Sequence, residues 1–171
     1  MSSLEIVYGL AIIGEGGIRL LGTPLSISAE TKELEVKMFN KAKETEGNIL
    51  LFDSHLVLYK AVEDVYLLLY APITENEIML FNALDAFYSA IVKAIKGPLT
   101  QKSLTKHYDE VFLVLDSFIY KNVLISDSTT DIVERIPKRT FEGLEAMPIP
   151  SKFSSAFKKA QKSFASSWFK K

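Results

Sequence analysis

The stretch AIIGEGGIRLLG, residues 11–22, decides between two kinds of protein. A glycine-rich turn between apolar flanks is either a phosphate cradle opening a helix or the tip of a β-hairpin. The dinucleotide fingerprint needs Gly-x-Gly-x-x-Gly. Gly14 and Gly16 supply its first half, but the third glycine would fall at position 19, which is Arg19. No phosphate-binding lysine follows. Ile18-Arg19-Leu20-Leu21 is a short, mostly apolar run without helical period. The flanks therefore read as two antiparallel strands, and the glycines supply the positive φ of a tight hairpin. The best candidate for a catalytic loop is thereby a turn.

Working outward, residues 6–13 are apolar on both alternating faces, the pattern of an interior strand covered on both sides. Residues 18–21 return antiparallel, ended by Gly22 and Pro24. A helix is expected over 29–43, capped by Ser28, with Leu34, Met38 and Ala42 as its stripe, Val36 and Phe39 widening it, and its charges in water. Three strands follow at 49–52, 55–60 and 65–71, with Val62-Glu63-Asp64 as the last turn. A long helix opens on a Thr74/Glu77 capping box, repeats Ile78, Phe81, Leu84, Phe87/Tyr88, Ile91 and Ile95, and stops at Gly97-Pro98. A second long helix covers 101–120, with Leu104, Tyr108, Val111, Leu115 and Phe118/Ile119 inward. Ser128 and Asp131 cap a short helix to Arg135. The order β-β-α-β-β-β-α-α predicts an α+β sandwich, a five-stranded antiparallel sheet with one helix on one face and two on the other.

The 171 residues suffice for one domain with a real core. Net charge is −1, so the molecule as a whole is no nucleic-acid binder. The charge is uneven: residues 151–171 hold six lysines and no acid, leaving an acidic body. Cysteine is absent, which excludes disulfides, thiolate catalysis and cysteine zinc sites and suits a reducing compartment. Residues 6–13 follow Glu5 without a basic flank, unlike a signal segment, and no uninterrupted apolar run is long enough to span a bilayer.

Catalytic chemistry finds no foothold. The two histidines, His55 and His107, share no ligand spacing. No Gly-x-Ser-x-Gly elbow occurs. Glu63-Asp64 and Asp109-Glu110 read as solvated surface, Asp116 as a polar helix face, and Tyr66 and Tyr70 as core and sheet-face residues without the interleaved basic residues of a base-stacking platform. No catalytic, cofactor-binding or metal residue is assigned.

With these elements placed, the chain resembles the zeta chains of coatomer, longin-fold small chains of the adaptor/coatomer family. The resemblance rests on Tyr59-Lys60, on Asp64-Val65-Tyr66, on Glu75-Asn76-Glu77-Ile78-Met79-Leu80 opening the long helix, on EVFLVLDSFIYKNVLISDS (110–128) and on the tail AFKKAQKSFASSWFKK. It implies a longin-like domain over 1–136 and a non-enzymatic coat subunit without cofactor. It further implies binding to the trunk of the gamma coatomer subunit, and contact with other coatomer subunits and an Arf-type GTPase through the complex. The expected place is cytoplasmic, peripheral on Golgi membranes and COPI-coated vesicles, in retrograde Golgi-to-endoplasmic-reticulum and intra-Golgi transport. The sigma chains of clathrin adaptors, and other longin-domain trafficking proteins, are the alternatives. Some sigma chains bind dileucine signals in an apolar pocket that needs small residues where this chain has Glu63 and Tyr88, which implies a blocked pocket.

Beyond a 137–150 linker, marked by Pro137, Gly143, Pro148 and Pro150, residues 151–171 read as a basic amphipathic helix. Phe153, Phe157, Phe164 and Trp168 form its stripe, with Lys158, Lys159 and Lys162 to the sides. Such a helix suits an anionic membrane, a coat partner or the domain itself.

Overall fold

The computed structural model describes residues 6–137. The linker (137–150), beyond Pro137, and the amphipathic helix (151–171) lie outside the described residues. The hairpin is present: β1 (Gly9–Gly14) pairs antiparallel with β2 (Arg19–Thr23), and Gly17, at φ 79°, takes the left-handed turn position. The turn closes through Gly14 N–H donating to the Ile18 carbonyl at 2.9 Å. α1 (Ala29–Glu44) follows, capped by Ser28, whose Oγ accepts from the Thr31 amide. β3 (Ile49–Phe52), β4 (His55–Val62) and β5 (Val65–Pro72) form a meander. α2 (Glu77–Ile95), α3 (Gln101–Lys106), α4 (Tyr108–Phe118), a two-residue-strand hairpin of β6 (Ile119–Tyr120) and β7 (Val123–Leu124), and α5 (Thr129–Arg135) complete the order.

The main sheet runs β2-β1-β5-β4-β3, antiparallel throughout. All six residues of β1 are buried, and β5 is buried at every position except Tyr66 and Pro72. Alternation divides these strands between two cores. Leu10, Ile12, Leu56, Leu58, Leu67 and Leu69 face α2, α4 and α5. Ala11, Ile13, Val57, Tyr59, Leu68 and Tyr70 face α1. Phe87 and Phe118 stack at 4.7 Å within the first layer. By length and composition α2 could cross a membrane, but Leu80, Leu84, Phe87, Ala90 and Ile91 are spent on this core.

Several boundaries differ from the pattern. The interior strand starts at Gly9 rather than at residue 6; Ile6 makes an isolated bridge to Val123. α2 is capped by Asn76, whose Oδ1 accepts from the Ile78 and Met79 amides, so the Thr74/Glu77 box does not form. Ile78 consequently points outward, 67% exposed. The single helix expected over 101–120 breaks at His107 (φ −115°, ψ 35°) and ends at Phe118. There Lys121 and Asn122, both at positive φ, turn the chain into the small hairpin. Tyr108, expected inward, is 46% exposed. On α1, Val36 is exposed and Glu35 is buried at 2%, the reverse of the expected faces.

Candidate protein-interaction surfaces

The residues that position this molecule's surfaces are polar ones held between the sheet and its helices. Glu35 projects from α1 against the sheet. Its Oε1 accepts from the Tyr70 hydroxyl at 3.0 Å, and its Oε2 lies 2.9 Å from Arg19 Nε in an ion contact outside hydrogen-bonding alignment. The Arg19 guanidinium also donates to the Pro24 carbonyl at 2.8 Å. Two glycines leave the room. A Cβ on Gly9 would stand 2.5 Å from the Tyr70 hydroxyl, and one on Gly22 would stand 2.6 Å from the Arg19 guanidinium. Burial pushes the Glu35 carboxyl above its ordinary range, against the opposing pull of the Arg19 charge and of the Tyr70 hydrogen bond. Burial, reinforced by the Glu35 charge, raises the Tyr70 phenol strongly. A second sheet tyrosine, Tyr59, donates to the Thr45 carbonyl at the end of α1 at 2.6 Å.

The turn carrying Glu63 is a two-residue connection closed by the Val62–Val65 pair. Glu63 is exposed there at φ 50°. Tyr88 is half-buried on α2, with Lys60 Nζ 5.0 Å from its ring centroid and Lys60 paired to Asp85 at 2.7 Å. Asp64, expected as solvated surface, fastens the turn instead. Its Oδ1 accepts from the Gln101 amide at 2.9 Å, and its carbonyl accepts from Gln101 Nε2 at 3.0 Å and from the Glu15 amide at 3.0 Å. The β1–β2 turn, the β4–β5 turn and the start of α3 are thus tied at one end of the sheet. The pattern missed this cluster because its members are far apart in sequence and each alone suits a loop.

His55 and His107 are not brought together. His55 meets Tyr8 edge-on at 5.3 Å between ring centroids, with Tyr70 at 6.4 Å. His107 Nδ1 lies 3.7 Å from Glu110 at the α3–α4 break. Asp116 is exposed, as its pattern suggested. Among the described residues no group of three or more His, Cys, Asp or Glu could hold a metal ion. The surface instead offers isolated apolar side chains suited to protein contacts, including Leu51 at 71% and Leu25 at 62% exposure.

Comparison with known proteins agrees with that character. The family model described as clathrin adaptor complex small chain matches residues 19–141. Coatomer subunit zeta of Encephalitozoon cuniculi is 30% identical over 139 residues, covering 81% of this chain and 84% of that protein. The zeta subunit of Saccharomyces cerevisiae is 31% identical over 134 residues, covering 78% and 71%. Human coatomer subunit zeta-1 is 26% identical, covering 80% of each. A chain in a homology model of the full-length AP-3 complex, in a stretched open conformation, shares the fold at TM-score 0.58 and 11% identity, covering 90% of this chain and 99% of that one.

Glu35 gives a signed pH dependence. Its folded-state pKa lies above the unfolded value, so the folded chain binds the extra proton, and its contribution to stability falls as pH rises through that window. Urea unfolding of wild type and Glu35→Gln from pH 4 to 7 isolates the effect. The wild-type advantage should decline with rising pH, by at most about 1.4 kcal/mol per pH unit, and then level off. An advantage growing with pH would mean that the ion contact outweighs desolvation.

Proposed function

Because the chain belongs to the clathrin adaptor complex small chain family, beside the coatomer zeta subunits, we propose that it is the zeta-type subunit of COPI, seated on the trunk of the gamma subunit. The coarser statement follows from membership: this is a small subunit of a hetero-oligomeric vesicle-coat complex, from a family of structural subunits rather than enzymes. The carrying observation is the zeta identity of 30% and 31% across most of the chain. On this reading the chain acts cytoplasmically at Golgi membranes, in retrograde and intra-Golgi transport. An Arf-type GTPase that recruits the coat does the nucleotide chemistry, and this chain contributes folded surface. Co-expression with the amino-terminal trunk of a gamma subunit should raise soluble yield and give a 1:1 complex on size exclusion. Two separate peaks at micromolar concentration would overturn the assignment.

The sigma-type alternative turns on Glu63 and Tyr88. In the proposed reading their side chains close the dileucine site, since seating a signal there would strip water from the Glu63 carboxylate, and Tyr88 fills volume. Calorimetric titration with an acidic dileucine peptide should give no heat of binding. Micromolar binding that Glu63→Arg abolishes would favour a sigma chain.

The same proposal extends to residues 151–171 as a basic amphipathic helix that docks on a coat partner, on anionic lipid or on the domain itself. Its support is the Phe153, Phe157, Phe164 and Trp168 spacing beside Lys158, Lys159 and Lys162. Flotation of the peptide with anionic liposomes, weakened by salt and by Trp168→Ala, identifies the lipid mode. Flotation matching a scrambled control overturns the lipid mode and leaves docking on the coat partner or on the domain itself.

A further inference from the structure

β2 is one of the two edge strands of the sheet and is paired on one side only, with β1. A groove of about 430 Å³ runs beside it, lined by all four of residues 19–22. Successive side chains of a strand point to opposite faces. The register slips at Leu20, but the groove also draws on both faces of the sheet, Lys32 of α1 from one and Tyr108 of α4 from the other, and so it follows the strand's edge. Among the described residues, no backbone group from outside β1 hydrogen-bonds to those four. Arg19 and Leu20 keep part of their surface in solvent while Leu21 and Gly22 lie deeper, so the groove shelves from open to closed along the strand.

The walls have a definite chemistry. The loop before α1 contributes Leu25, 62% exposed, and α4 contributes Tyr108, 46% exposed. α1 contributes Lys32, which is exposed and has no ion pair among the described residues. No acid lines the groove. The other cation, Arg19, is engaged by Glu35 and by the Pro24 carbonyl. The strand's remaining residues, 20–23, bring no charge of their own to the edge.

We propose that this edge accepts an extended segment of a partner protein as an added strand on β2, with a carboxylate of that segment facing Lys32 and an apolar side chain against Leu25 and Tyr108. Main-chain pairing supplies the affinity and the side-chain positions supply the choice of sequence. The surface is separate from the Glu63/Tyr88 position, and the proposal does not depend on which large subunit the chain joins.

The test uses the full-length chain, isotopically labelled, and three capped peptides read by NMR titration. They are Val-Asp-Val-Asp-Val-Asp-Val, its counterpart with lysine for aspartate, and the acidic peptide N-methylated at alternate residues. The acidic peptide should shift the amides of residues 19–22, 25, 32 and 108. The lysine and N-methylated peptides should bind at least tenfold more weakly. Lys32→Glu, a change at an exposed helix position, should weaken the acidic peptide at least tenfold with unchanged melting temperature. Equal binding of the N-methylated peptide would rule out strand addition, and equal binding of the lysine peptide would rule out the acidic preference. Shifts confined to other surfaces, or none at millimolar peptide, would overturn the proposal outright.

Discussion

A sheet whose middle strands are apolar on both faces has to be covered twice. β1 and β5 present Leu and Ile to one layer and Ala, Ile, Leu and Tyr to the other, and neither face tolerates water. Everything else answers that demand. α2 supplies the apolar lid on one side and recruits α4 and α5 behind it. Among the described residues α1 is the helix on the other side, and its stripe is narrower: Met38, Phe39 and Ala42, with Leu34 partly buried. The deficit is met with directional bonds. Tyr70 holds Glu35 in the middle of α1, and Tyr59 holds the backbone at its end. One layer is held by packing, which specifies area, and the other partly by hydrogen bonds, which specify position.

The strands and the long helix were legible because their signals are local and repeated. Residues 65–71 alternate no polar group onto either face, and the strand they predict is interior. The stripe of Leu84, Phe87, Ile91 and Ile95 needs no partner to be seen. The short hairpin at 119–124 was not legible, because Phe118-Ile119 continues the helical stripe that precedes it. Only Asn122 hints at the positive φ that turns the chain. The α3–α4 break was hidden for a related reason: His107 is neither Gly nor Pro and carries no breaking signal of its own.

The interaction surfaces were less legible than the fold, and Glu35 shows why. On an amphipathic helix a glutamate reads as water-facing, because an unpaired buried carboxylate is costly. The reading fails when partners come from elsewhere in the chain, and Arg19 and Tyr70 arrive from two different strands. Asp64 and Gln101 repeat the case at the end of the sheet. The family relation was carried by contiguous residues, chiefly the passage from β4 into α2, and so survived where these long-range pairs did not.

The strand order also sets a schedule for synthesis. β3, β4 and β5 are neighbours in sequence and in space, so their meander closes through short loops. β1 pairs Gly9 with Tyr70 and Gly14 with Val65, a closure that spans most of the sheet-forming chain. The hairpin precedes them in the chain, and β1 has β2 for a companion at once, but its second neighbour arrives only with β5 and the roof over Leu10 and Ile12 only with α2. During that interval Leu10 and Ile12 stand bare in the growing chain, as transient stickiness that a chaperone or an early-bound coat partner can shield. The hairpin is made before the elements that complete its enclosure.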